Sequence, residues 1–88
     1  MLTKTFIHPD GETLEITVTE GISLDYLYSE AWDVRFEGDS YGRVEYSPRR
    51  NCYRWTRMGG GKVSRYTYDS LDEAVDSLVD RLFDRGAI

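Results

Sequence analysis

The sequence predicts an α+β domain in which an antiparallel β-sheet, built from an N-terminal hairpin and a meander, packs one face against a C-terminal amphipathic helix. Three observations predict this fold class: alternation of apolar and polar residues over 13–19, further alternating runs separated by short turns, and apolar residues at helical spacing over 71–83. With 88 residues, 40% apolar and 31% charged, the chain has the composition of one globular domain spanning residues 1–88.

The N-terminal hairpin is predicted from two strands, residues 3–8 and 13–19, which flank the turn sequence Pro-Asp-Gly-Glu. Three apolar residues of the second strand alternate with polar ones, as in a strand with one buried face: Leu14, Ile16 and Val18. Gly21 ends this pattern. Residues 24–31 then fit helical spacing after an N-cap residue at Ser23 and predict a short helix, although their tyrosines suit a strand as well.

The meander is predicted from four further alternating runs, at residues 32–37, 43–47, 52–57 and 63–68. The connecting segments are rich in turn-forming residues and are predicted at 38–42, 48–51 and the glycine-rich tip 59–62. Because short turns join consecutive runs, neighbouring strands are expected to pair antiparallel.

The C-terminal helix is predicted from about Leu71 to Arg85. Ser70 with Glu73 three residues later forms a capping box, and Gly86 stands where a C-terminal glycine cap belongs. Burying the apolar stripe, at about 1.5 kcal/mol or more per side chain, outweighs the repulsion among aspartates that recur every four residues. The stripe consists of Leu71, Ala74, Val75, Leu78, Val79, Leu82 and Phe83.

The composition excludes several classes of protein. A single cysteine, Cys52, cannot form an internal disulfide scaffold. The first residues lack the apolar core of a signal peptide, and no run approaches the ~20 apolar residues that span a bilayer. We therefore expect a cytoplasmic protein with no membrane partner.

No pattern for catalysis or metal binding is present in the sequence. The only histidine, His8, is 44 positions from Cys52, so neither a metal-ligand cluster nor a nucleophile with its base is indicated. The glycines of 59–62 join two predicted strands and do not match a phosphate-binding loop, which opens a helix. We expect no catalytic residues, no metal, no cofactor and no enzymatic activity.

Charge is strongly segregated along the chain, whose formal net charge is -5. Residues 43–65 contain seven basic residues and one acid, whereas the rest of the chain contains four basic and fifteen acidic residues. The negative total argues against non-specific DNA binding by the whole molecule. Two separate charged surfaces are therefore expected.

The first surface is an acidic ridge on the predicted helix, with Glu73 beside it; the ridge consists of Asp72, Asp76, Asp80 and Asp84. Side chains four apart on a helix lie about 5–6 Å apart, broadly like successive phosphates of a DNA strand. The ridge thus predicts a DNA mimic for a protein whose nucleic-acid groove is lined by Lys and Arg. The alternative is a solvated face that serves solubility. The helix contains no lysine, and Asp84 lies in the last turn, where the helix dipole disfavours an anion; both details favour recognition.

The second surface is basic. Three of its arginines fall on successive predicted strands, opposite the aromatic residues, and the others lie at turns; the set is Arg43, Arg49, Arg50, Arg54, Arg57, Lys62 and Arg65. The strand-strand-strand-helix order of residues 43–85, with Tyr-Asp-Ser-Leu-Asp-Glu-Ala-Val leading into the helix, resembles the AP2-type DNA-binding domains of plant factors and phage integrases. That resemblance implies DNA binding through the sheet. The alternative is an outer face whose arginines pair with neighbouring acids.

Three functions remain open at this point. The first is a small acidic binding protein that blocks a nucleic-acid-handling host protein, as short phage-encoded inhibitors such as anti-CRISPR proteins do. The second is a nucleic-acid-binding module that uses the basic surface, with Tyr and Trp available to stack on bases. The third is a structural or assembly protein that oligomerises through an exposed strand edge. The oligomeric state is not indicated by the sequence.

Overall fold

The computed structural model describes residues 2–21, 30–58 and 63–88. It contains one five-stranded antiparallel sheet with the strands in sequential order, followed by a C-terminal helix, which confirms the predicted α+β fold. The elements are β1 (Leu2–Ile7), β2 (Thr13–Gly21), β3 (Glu30–Phe36), β4 (Asp39–Ser47), β5 (Cys52–Arg57) and α1 (Leu71–Asp84).

The β1–β2 hairpin closes through the predicted turn. The backbone N–H of His8 donates to the carbonyl oxygen of Glu12 at 2.7 Å, and the Asp10 carboxylate accepts the Glu12 N–H at 2.8 Å. Gly11 has a φ of 96°, a conformation that glycine adopts without strain. The turn therefore has the conformation that Pro-Asp-Gly-Glu favours.

The turn between β3 and β4 is shorter than predicted. It consists of Glu37 and Gly38, both with positive φ (52° and 87°), as a two-residue hairpin turn of the mirror-image class requires. The predicted turn at 38–42 is therefore wrong beyond Gly38, because β4 already begins at Asp39. The pairing of β3 with β4 changes register between Val34 and Arg35. At this point β4 has one residue more than β3, which makes a β-bulge.

The predicted strand at 63–68 is also wrong. Only two isolated bridges join this segment to β5, Thr56 with Val63 and Tyr53 with Tyr68. Between them the Oγ of Ser64 accepts the N–H of Trp55 at 3.1 Å in place of a backbone carbonyl. Because the Ser64 side chain accepts the Trp55 N–H, the ladder of backbone hydrogen bonds between β5 and this segment is interrupted. The exposed residues 65–67 lie outside the ladder.

Two predictions fall largely outside the described residues. The short helix at 24–31 is one of them, and its last two residues, Glu30 and Ala31, belong to β3 instead. The glycine-rich tip at 59–62 is the other.

Both ends of α1 are capped as the sequence predicts. The Ser70 Oγ accepts the N–H of Glu73 at 3.2 Å, and the Glu73 carboxylate accepts a backbone N–H one residue before the cap. At the other end Gly86 has a φ of 68°. Its N–H donates to Phe83 O at 3.0 Å and the next N–H donates to Leu82 O at 2.9 Å, the hydrogen-bond pair of a Schellman cap.

The core lies between α1 and one face of the sheet. Gly42 on β4 stands directly beneath Leu78 of the helix, so the missing side chain makes room for the helix to approach. The C-terminal end is held by His8, whose ring lies edge-on to Phe83 and whose Nε2 is 2.8 Å from the carbonyl oxygen of Ile88. The buried cluster comprises Ile16, Val18, Val34, Val44, Trp55, Ala74, Val75, Leu78, Val79 and Leu82.

Candidate functional site

The acidic ridge lies on the side of α1 that faces away from the core. The side chains of Asp72 and Asp76 are 69% and 55% exposed, and the residues Glu73, Asp80 and Asp84 are also exposed. Because the opposite side of the helix is buried against the sheet, these carboxylates are held on a fixed support.

The N-terminal half of the ridge is paired with a cation from a distant strand. Lys4 of β1 places its Nζ 2.6 Å from the Asp76 carboxylate and 3.3 Å from that of Asp72. Burial by itself lowers the pKa of Lys4, but hydrogen bonds and charge from the two carboxylates outweigh it and leave the pKa above its ordinary value. Lys4 therefore stays protonated and neutralises part of this half.

The C-terminal half of the ridge has no such partner. Among the ion pairs of the described residues, none within 4 Å involves Asp80 or Asp84. Partial burial, together with the like charges of Asp76 and Asp84, raises the pKa of Asp80. Asp80 and Asp84 are therefore carboxylates of the ridge without an ion pair in the described residues, in a part of the helix that also carries Arg81.

This asymmetry predicts opposite effects for two neutralising substitutions. Asp80→Asn removes the repulsion between the Asp80 carboxylate and those of Asp76 and Asp84, and should stabilise the fold by about 0.5 kcal/mol at pH 7. Asp72→Asn removes a Lys4 contact and a first-turn anion, and should destabilise it by about 0.5 kcal/mol. Urea denaturation of both variants measures the difference, and equal effects of the two would contradict the assignment.

The pH dependence of the Asp80 effect has a definite sign. A carboxyl whose folded pKa is raised stabilises the fold when protonated and loses that contribution as pH rises from its ordinary value of 3.8 through the raised one. The advantage of Asp80→Asn should therefore be absent at about pH 3 and complete at neutral pH.

The two central arginines of the basic surface are paired and half-buried. Arg43 Nε lies 3.8 Å from Asp33, and Arg54 Nη2 lies 3.4 Å from Glu45, whose side chain is only 6% exposed. The arginine side chains themselves are 23% and 26% exposed. Glu45 is buried although strand alternation places it on the face opposite the core, and Arg54 lies beside it. Both arginines therefore form ion pairs with acids of the same sheet.

The other basic residues are not gathered around this pair. Arg49 and Arg50 are exposed in the turn before β5. Arg57 is half-buried and follows Thr56, the register partner of Arg43, so strand alternation places Arg57 on the opposite face of the sheet. Arg65 belongs to the segment that leaves the sheet and lies near α1, and Lys62 lies outside the described residues. The prediction that three arginines occupy successive strands is therefore wrong for Arg65, and the strand order behind the AP2 resemblance is interrupted.

Sequence reasoning missed two contributors to the charged surface of α1. Lys4 comes from a strand 68 residues before the start of the ridge, and only the crossing of the helix over the sheet brings it there. Tyr66 was expected in a strand but is 68% exposed beside α1. Neither contact has a local signal in the sequence.

Within residues 2–21, 30–58 and 63–88, no three His, Cys, Asp or Glu side chains converge as metal ligands would. Cys52 is half-buried and not disulfide-bonded. None of the helices in the described ranges has the length and apolar character to cross a bilayer. A scan against protein-family models and searches of curated proteins and of solved structures found no match to this chain.

Proposed function

We propose that the chain is a non-enzymatic, cytoplasmic binding protein whose acidic helix engages a basic nucleic-acid groove on another protein and blocks it. Such an activity is that of a phage-type inhibitor, similar in mode to DNA-mimicking anti-CRISPR proteins. The binding residues are those of the acidic ridge together with Glu73. The single observation that supports this most strongly is that all five carboxylates are exposed on one helix whose other side is buried.

The mechanism would combine attraction at a distance with steric occlusion. Long-range attraction between an anionic surface and a cationic groove raises association rates by about 10- to 1000-fold at low salt. On contact, carboxylates at intervals of about 5–6 Å would occupy positions that phosphates otherwise take, and arginines of the partner would bind them with charge-assisted hydrogen bonds. The bound helix then excludes the nucleic acid.

The structure of the basic surface makes direct nucleic-acid binding the weaker alternative. Phosphate binding depends on cations that are free to exchange their counterions. Arg43 and Arg54 instead contact acids of the same sheet, and Arg49, Arg50 and Arg65 do not join them in one patch. Oligomerisation through β1, an outer strand of the sheet with exposed Leu2 and Ile7, stays a prediction.

Charge reversal on the ridge provides the test. The protein is immobilised and exposed to a nuclease-treated bacterial lysate, and captured proteins are identified by mass spectrometry. Wild type should capture a nucleic-acid-binding protein that double-stranded DNA displaces, and the Asp76→Lys/Asp80→Lys variant should capture at least about tenfold less of it.

A matched control separates a specific surface from net charge. The Glu12→Lys/Glu15→Lys variant changes net charge equally at two exposed positions away from α1 and should capture the same protein as wild type. Circular dichroism confirms that each variant is folded. Equal capture by the ridge variant, or equal loss in both variants, would refute the proposal. A gel shift at low salt that Arg49→Glu/Arg50→Glu abolishes would support the nucleic-acid-binding alternative instead.

A further inference from the structure

A cleft of about 440 Å³ lies between α1 and residues 63–68. One wall is a stripe of the helix that includes Asp80, Arg81 and Asp84, and the other wall is the segment that leaves the sheet, with Val63, Arg65 and Tyr66. Because residues 65–67 lie outside the backbone ladder, this wall stands away from the sheet and the cleft stays open.

The polar groups at the floor of the cleft hydrogen-bond to one another. Ser77 Oγ accepts the Trp55 indole N–H at 3.1 Å and lies 2.6 Å from the Tyr68 hydroxyl. Trp55 is itself buried. Because these polar groups already bond to one another, the specific polar contacts to an occupant come from the rim.

The apolar part of the rim is unusually exposed. Tyr66 is 68% exposed and Val63 is 45% exposed, although both belong to residue types that usually bury more of their surface. A tyrosine face flanked by an aliphatic side chain accommodates a long side chain with a planar cationic head, which stacks on the ring.

The charged residues that line the cleft are two aspartates and two arginines, and the two aspartates have no ion pair within the described residues. Asp80 and Asp84 belong to the unpaired half of the acidic ridge, whereas Asp72 and Asp76 have Lys4. Arg81 lines the same cleft, yet no ion pair within 4 Å joins it to either aspartate in the described residues. The aspartates thus retain the capacity to bind a cation supplied from outside.

We propose that this cleft accepts a single arginine side chain of a protein partner, with the guanidinium on Asp80 and Asp84 and the stem against Tyr66 and Val63. This inference rests on the proposed function, since it names the group on the partner that the acidic helix receives. It extends that function from a row of charges to a shaped site.

The two arginines of the cleft set its selectivity. Arg65 and Arg81 repel additional positive charge, so the cleft should take one arginine of a basic groove and no second cation beside it. Recognition in the cleft therefore adds a position for a single arginine to the recognition of the groove by the acidic ridge.

A peptide titration followed by NMR tests the site directly. The probe is acetyl-Gly-Arg-Gly-amide, and its partner probes carry citrulline, which is neutral but of the same shape, or glutamate in place of arginine. The arginine peptide should shift the Trp55 indole resonance and amides of 63–68 and 77–84 with a dissociation constant of about 1–10 mM. The citrulline and glutamate peptides should leave them in place.

Variants assign the contacts. Asp80→Asn/Asp84→Asn and Tyr66→Ala should each weaken the arginine peptide at least about fivefold, whereas Tyr66→Phe, which keeps the ring, should bind as wild type does. Glu12→Gln/Glu15→Gln is the matched control, because it neutralises the same number of carboxylates at exposed positions outside the cleft. Equal shifts with citrulline, shifts only with glutamate, no shifts in these segments, or unchanged binding by the Asp80/Asp84 variant would each overturn the inference.

The capture experiment with the same variants separates this inference from the proposed function. If Tyr66→Ala captures the DNA-displaceable partner as well as wild type does, the cleft site is refuted and the acidic-helix function stands. If the arginine peptide binds but no such partner is captured, the site stands and the proposed function is refuted.

Discussion

Replacing Trp55 with alanine is expected to destabilise the protein by about 3–5 kcal/mol, the largest effect of any substitution considered. The side chain is 7% exposed, lies among the buried residues of β5 and α1, and donates its indole N–H to Ser77. Truncation would remove this packing, leave a cavity under the helix and deprive the serine of one partner. Urea denaturation followed by circular dichroism measures the change.

A double-mutant cycle isolates the polar part of this effect. Trp55→Phe keeps an aromatic ring but loses the indole N–H, and Ser77→Ala leaves that N–H and the Tyr68 hydroxyl without their shared partner, at about 1–3 kcal/mol. The cost of Ser77→Ala should be smaller in the Trp55→Phe background, with a coupling of roughly 1 kcal/mol.

A second serine serves as the control for this cycle. Ser40→Ala removes a half-buried hydroxyl on another strand, with a long contact of 3.5 Å to a backbone carbonyl, and should combine additively with Trp55→Phe. Additive behaviour of the Trp55–Ser77 pair would mean that the hydrogen bond contributes nothing to stability.

Replacing Gly42 with valine is expected to destabilise the fold by about 3 kcal/mol, and alanine by about 2 kcal/mol. A Cβ at this position would lie 2.7 Å from a methyl carbon of Leu78 and 2.9 Å from the backbone oxygen of Thr56. Leu78 is fully buried, so the helix would have to move away from β4 or the sheet would have to deform. Urea denaturation again gives the change in unfolding free energy.

Two further variants define the cause of the Gly42 effect. Gly21→Ala is the matched control, because its Cβ would meet only the Asp33 side chain at an ordinary distance of 3.4 Å, and we expect a change within about 0.5 kcal/mol. Leu78→Ala destabilises the fold by itself, but in its background the Gly42→Ala substitution should cost less, because the clash with the Leu78 methyl groups is gone. The clash of the new Cβ with the Thr56 backbone oxygen remains. Full additivity would show that the helix does not press on Gly42.

The elements that the sequence predicts correctly are those set by interactions over a few residues. The β1–β2 turn, the capping box of Ser70 and Glu73, and the glycine cap at Gly86 each depend on neighbours in the chain. The exposure of the acidic ridge follows from the helical period, since a helix with one apolar stripe must turn its remaining positions outward.

The errors arise where a distant contact competes with a local pattern. Residues 63–68 alternate like a strand, but Ser64 takes over the hydrogen bond of Trp55 and the ladder stops. Glu45 alternates outward from the core, yet it is 4% exposed beside Arg54. Both outcomes depend on which side chains the neighbouring strand offers, and the residues concerned are nine positions apart in sequence.

The sequence by itself determined that this protein has an antiparallel sheet, a capped terminal helix and a row of aspartates on that helix, because periodicity and capping are local properties. The tertiary structure alone decided which aspartates are neutralised and where the cleft lies. Lys4 reaches Asp72 and Asp76 only because the helix, which packs mainly on β4 and β5, also passes beside β1. Tyr66 lines a cleft with Asp80 only because its segment leaves the sheet. Contacts between residues so far apart in sequence depend on the packing of whole elements, which no local pattern specifies.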